Sequence, residues 1–184
     1  QGATVSFAPK MIVDAHVDPR PEYADFNGDG LVDVVSSGYN RDVLVYFNTS
    51  TEDMIVLEHA LTIEAGGVED PQYDYEWSTY APRLADIDGD GLLDIITRQG
   101  CFGCSPNGIS VQRNTSTEKA MSFAYEFEDY YLFESQSKPL RIEVADLNGD
   151  GKSDLVTVDW SGGLSIIMND STPGNIVLQD QMIV

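Results

Sequence analysis

The chain has 184 residues, 42% of them hydrophobic and 22% charged, enough for one medium or two small globular cores. Ten Lys and Arg stand against thirty-one Asp and Glu, and the resulting formal charge of −21 would repel a phosphate backbone or an anionic lipid surface, so nucleic acid and acidic membrane are expected to be poor partners. No apolar run approaches the roughly 20 residues of a bilayer span, so no membrane insertion is expected, and the sequence at Gln1 lacks the charged and apolar regions of a leader, which predicts a secreted chain whose signal has been removed.

The first predicted element is an apolar strand at residues 5–13, with Val5, Phe7 and Met11 alternating on one face and Val13 near its end. Ten-residue acidic loops then recur three times. They read Ala24-Asp25-Phe26-Asn27-Gly28-Asp29-Gly30-Leu31-Val32-Asp33, Ala85-Asp86-Ile87-Asp88-Gly89-Asp90-Gly91-Leu92-Leu93-Asp94 and Ala145-Asp146-Leu147-Asn148-Gly149-Asp150-Gly151-Lys152-Ser153-Asp154. Their first aspartates lie 61 and 60 residues apart, an internal repeat. An apolar strand precedes each loop and a β-branched strand follows it. A third strand comes next (Val43 to Phe47, Ile109 to Gln112 and Leu164 to Met168 in the three copies), then a polar turn opening at Asn48, Asn114 or Asn169. A fourth strand begins near Leu57, Phe123 and Leu178. No stretch sustains helical spacing, so each repeat is read as a four-stranded antiparallel meander of about 60 residues.

Aligning Phe7 with Leu57 and Leu178 also aligns Met11 with Leu61 and Met182, so residues 5–13 duplicate a fourth strand whose own unit is missing. The expected organisation is residues 1–19 as the spare outer strand of a preceding or neighbouring unit, then repeats at 20–79, 80–138 and 139–184. Either the chain is a section of a longer array, or the spare strand pairs with another chain, giving self-association by strand addition.

Within each loop, oxygen side chains fall at positions one, three, five and nine, and a glycine at six allows the sharp turn that converges them. With the backbone carbonyl at position seven, this is a hard-oxygen set of the kind Ca²⁺ takes. The expected ligands are Asp25, Asn27, Asp29, Leu31 and Asp33; Asp86, Asp88, Asp90, Leu92 and Asp94; and Asp146, Asn148, Asp150, Lys152 and Asp154, for three Ca²⁺ ions. An EF-hand needs a bidentate Glu at position twelve and flanking helices, but Ser36, Thr97 and Thr157 stand there and β-branched runs follow. Dockerin-type loops fail too, since they sit beside helices at much shorter intervals.

With the Ala-Asp-x-Asn/Asp-Gly-Asp-Gly-x-x-Asp loop between its first two strands, the chain resembles the FG-GAP and VCBS repeats of integrin α-subunits and secreted microbial proteins. The resemblance implies that each repeat is one blade of a calcium-stabilised β-propeller used in adhesion, in ligand binding or as an appendage to an enzyme. Closed propellers need about four to eight blades, so the expected fold is all-β, three four-stranded antiparallel propeller-type blades with calcium loops, not closed by one chain alone.

Asn48, Asn114 and Asn169 each open an N-x-[ST] sequon at the same turn, an arrangement that suits surface glycosylation and equally suits Asn as a turn former. Cys101 and Cys104 lie in a five-residue insertion of the second repeat, where a local disulfide is expected in an oxidising compartment. Aromatic residues beside acids, among them Tyr75 and Trp77, together with Phe102, are candidates for a face that holds a protein or glycan ligand, although aromatics in such places also simply pack. The only histidines, His16 and His59, are in separate segments, no nucleophile motif accompanies them, and ten of the acids belong to the loops, so no enzymatic activity is expected. The expected function is a non-catalytic extracellular module for adhesion, matrix or ligand contact. The alternatives are a glycosylated subunit of a head-to-tail filament and the accessory repeats of a secreted polysaccharide- or lipid-active enzyme.

Overall fold

A computed structural model describes residues 20–38, 42–64, 78–100, 108–117, 120–129, 139–159, 162–180 and 182–184. They form twelve strands in three antiparallel sheets, and among the described residues no helix occurs. The first sheet is β1 (Glu22–Ala24), β2 (Asp33–Ser37), β3 (Asp42–Asn48) and β4 (Leu57–Glu64). The second is β5 (Ser78–Ala85), β6 (Asp94–Gly100), β7 (Gly108–Asn114) and β8 (Phe123–Asp129). The third is β9 (Pro139–Ala145), β10 (Asp154–Asp159), β11 (Leu164–Ile167) and β12 (Met182–Ile183). Each is a meander in chain order, as the repeat pattern predicts. The expected strand at residues 5–13 lies outside the described residues.

The fourth strands show how far a register can be read from spacing. Leu57 pairs with Asn48 and Phe123 with Asn114 at the starts of β4 and β8. In the third sheet Leu178 makes the equivalent bridge to Asn169, but regular pairing resumes only at Met182, opposite Ile166. In the first two sheets the third–fourth pairing shifts register at one shared place, after Val45 and after Val111. This irregularity bends both blades alike.

The sheets stack in sequence order, because alternation gives every central strand two apolar faces. Glu22, Val35, Val45 and Leu61 are paired across the first sheet and so share a face, which packs with Val43 onto Ile95, Leu84 and Phe123 of the second. The opposite face of the second sheet carries Ile96, Ile109 and Val111, packed onto Ile142, Leu155 and Ile167 of the third. Arg83 crosses all three layers: its guanidinium bonds Glu22 of β1, and in β9 the Ile142 carbonyl and Glu143. Fully burying each of these aliphatic side chains is worth about 1.5–3 kcal/mol, so inter-sheet packing holds the array together.

Candidate metal centre

The loops β1–β2, β5–β6 and β9–β10 are built alike, and hydrogen bonds show why the sequence needs each residue. At position one, Asp86 Oδ1 accepts from Gly89 N at 2.8 Å and Asp90 N at 3.1 Å, and its Oδ2 accepts from Gly91 N at 2.9 Å. Asp25 repeats all three bonds, and Asp146 bonds the amides of Gly149 and Gly151. At position five, Asp29, Asp90 and Asp150 each accept from the amide two residues on, at 2.7, 2.8 and 2.9 Å. The chain closes around these carboxylates only with left-handed backbone at positions four and six, where Gly89 and Gly91 have φ of 75° and 92°. A Cβ at either would meet nothing within 4 Å, so the requirement is conformational rather than steric.

The position-nine aspartates do something the loop pattern alone does not disclose. Asp33, Asp94 and Asp154 are fully buried. Each accepts the amide of loop position two through Oδ2 (Phe26, Ile87, Leu147, all 2.9 Å) and the amide of the turn asparagine through Oδ1 (Asn48, Asn114, Asn169, all 2.8 Å). One carboxylate thus ties the acidic loop to the turn between the third and fourth strands, which places both on the same edge of the sheet.

The turn asparagines complete that tie. Their side-chain amides donate to the position-eight carbonyls of Val32, Leu93 and Ser153 at 3.0 Å, and their Oδ1 atoms accept from the amides of Ser50, Ser116 and Ser171. Those serines in turn accept, through Oγ, the amides of Val56, Ser122 and Val177, six residues on. Both halves of each sequon are therefore turn architecture. Asn114 and Asn169 are only 2% and 1% exposed, and the nitrogen that a glycan would occupy is engaged in every copy. In all three copies the asparagine side chain serves the turn. Replacing Asn114 by Ala orphans the Leu93 carbonyl and the Ser116 amide and should cost about 1–3 kcal/mol, read as a lowered midpoint in chemical denaturation.

The second loop gathers acids most tightly. One oxygen each from Asp86, Asp88 and Asp94 lies within 4.8 Å of the others, and among the described residues this is the only such group of His, Cys, Asp or Glu. Ligands 2.3–2.6 Å from one Ca²⁺ sit at most about 5 Å apart, so the spacing and the all-oxygen chemistry fit that ion. In the first and third loops an asparagine replaces Asp88, and Asn27 and Asn148 donate Nδ2 to Asp29 and Asp150 at 2.9 Å. A Ca²⁺ held there would be offered the oxygen of Asn27 or Asn148 in place of a third carboxylate.

Burial sets Asp94 apart from the exposed acids of the loops. Burial pushes the Asp94 carboxyl up to about 6, the carboxylates of Asp88 and Asp90 push the same way, and the amides of Asn114 and Ile87 pull only partly back. In contrast, the Asn148 amide and the Lys152 N–H hold exposed Asp150 below the usual range. An acid raised from 3.8 in the unfolded chain to about 6 in the folded one contributes stability that is present below about 4 and is lost as pH rises through about 6. Carboxyl-carbon NMR of the protein in chelator should therefore show Asp94 titrating near pH 6; a midpoint near 4 would contradict this effect of burial.

Of the other sequence-predicted positions, Tyr75, Trp77, Phe102, Cys101 and Cys104 lie outside the described residues, so the aromatic ligand face and the disulfide have no structural description here.

Stacked four-stranded antiparallel sheets, each with an aspartate-lined loop between its first two strands, define a β-propeller-like repeat protein. Residues 25–97 match the family model described as FG-GAP-like repeat, which supports the FG-GAP repeat family for that stretch. Among curated proteins none matches the chain.

Proposed function

We propose that the chain is a non-catalytic, calcium-stabilised β-repeat module that works outside the cell in adhesion, matrix or ligand contact. The observation that carries this reading is the oxygen cluster of the second loop, with its three carboxylates from Asp86, Asp88 and Asp94, set in a hydrogen-bonded frame that the other two loops reproduce. Such a frame suits an ion that braces a fold: the carboxylates are anchored by backbone amides, and the position-nine aspartates bind loop to strand. Binding three Ca²⁺ would also lower the formal charge from −21 to −15. Secretion suits this reading, because a buffered intracellular space holds too little calcium for exposed loops of moderate affinity. The partner expected is a protein or a glycan.

Titrating the metal-stripped chain with CaCl₂ and, separately, MgCl₂ in a calorimeter tests the reading. Three calcium sites, with far weaker magnesium binding, are expected, since the smaller ion demands a tighter octahedron. No heat of calcium binding would overturn the reading.

A further inference from the structure

Each sheet has two distinct faces, and the same two faces meet at both junctions within the chain. The forward face of the first sheet, with Val35, Val43 and Val45, is fully buried by the second, and the equivalent Ile96, Ile109 and Val111 are buried by the third. In the third sheet the equivalent Val156, Leu164 and Ile166 are only half-buried. Loop position two repeats the contrast: Ile87 is 1% exposed beneath the third sheet, whereas Leu147 is 47% exposed. Met182 stands where Leu61 packs in the first sheet, yet is 53% exposed.

The complementary face shows the same contrast at the other end of the stack. Leu84 and Met121 of the second repeat pack against the first sheet, and Val144 and Ile176 of the third pack against the second. Their equivalents in the first repeat, Tyr23 and Ile55, are 61% and 69% exposed. The second junction is also keyed by polar contacts from turn to loop. Asn169 Nδ2 donates to the Ile87 carbonyl and Gly174 N to Asp88 Oδ2, both at 2.8 Å. At a further junction of the same kind, Asn48 and Asp53 hold the equivalent turn positions, and Leu147 and Asn148 the equivalent loop positions.

We infer that the forward face of the third sheet docks the rear face of the first sheet of a second copy of this chain, Ile55 and Tyr23 of one copy covering Leu147, Ile166 and Met182 of the next. The association is heterologous and head-to-tail, so it continues from copy to copy unless the rotation closes a ring. This deepens the proposed module by naming its partner, and it uses the sheet faces rather than the strand at residues 5–13. The third junction lacks an equivalent of Arg83: Glu143 and the incoming Glu22 occupy the two positions, with Arg141 bonded to Glu143. The contact is therefore weaker than the two internal ones and is strengthened by salt, which screens the acids.

Sedimentation velocity of the full chain in calcium tests the proposal, using the exposed-site variants Ile55→Lys and Met182→Lys. The wild-type mass should at least double with rising concentration, and further in higher salt. Each variant alone should remain monomeric, because one of its two faces is blocked. An equimolar mixture should form dimers and nothing larger, the intact forward face of Ile55→Lys receiving the intact rear face of Met182→Lys. Wild type that stays monomeric throughout overturns the inference and leaves the faces to blades from outside these 184 residues, and variants that assemble like wild type overturn it in favour of another surface. Melting curves of the same samples with and without chelator report the calcium reading separately, so either can fail alone.

Discussion

Chelating calcium should lower the melting temperature by about 15 °C or more. A ligand at one hundred times its Kd stabilises by about 2.7 kcal/mol per site, three sites give about 8 kcal/mol, and a chain of this size shifts about 2–4 °C per kcal/mol. The direction follows from charge as well as mass action. The chain carries −21, and its loops bring together carboxylates that repel one another when no ion lies between them. Differential scanning calorimetry with and without EDTA checks this, and an unchanged midpoint would remove calcium from the account. Asp86→Ala or Asp88→Ala should reduce the calcium-dependent part by about one third, because the loops are separately built.

The second large effect separates two classes of loop aspartate in metal-free protein. Asp154→Ala leaves the amides of Leu147 and Asn169 without acceptors, the latter in the buried interior, and should cost about 2–4 kcal/mol even in EDTA. Asp150→Ala removes only exposed bonds to Asn148 and Lys152 and should leave the metal-free midpoint almost unmoved while weakening calcium binding. Urea denaturation of both variants in chelator checks the contrast. Equal losses would mean that position nine is a ligand and nothing more.

That contrast also marks where sequence reading stops. The loops, the meander and the starts of the fourth strands were legible because a spacing repeated three times carries its own register: Leu57, Phe123 and Leu178 each stand nine residues past an asparagine, and each pairs with it. The role of those asparagines was not. An N-x-S triplet does not disclose that its side-chain amide caps the position-eight carbonyl across the sheet edge. Asp88 could be assigned to its loop, but its bond to Gly174, 86 residues away, depends on which sheets face each other. Repeat alignment does not contain that information; the exposure of Leu147 beside the burial of Ile87 does.

The most direct test of the central claim is a diffraction measurement on calcium-grown crystals, with anomalous differences collected to place the ions. The account predicts one calcium in each loop, ligated at about 2.3–2.6 Å by oxygens of positions one, three, five and nine and by the carbonyl of Leu31, Leu92 or Lys152. Loops free of anomalous density, with their carboxylates bonded only to backbone amides, would contradict it.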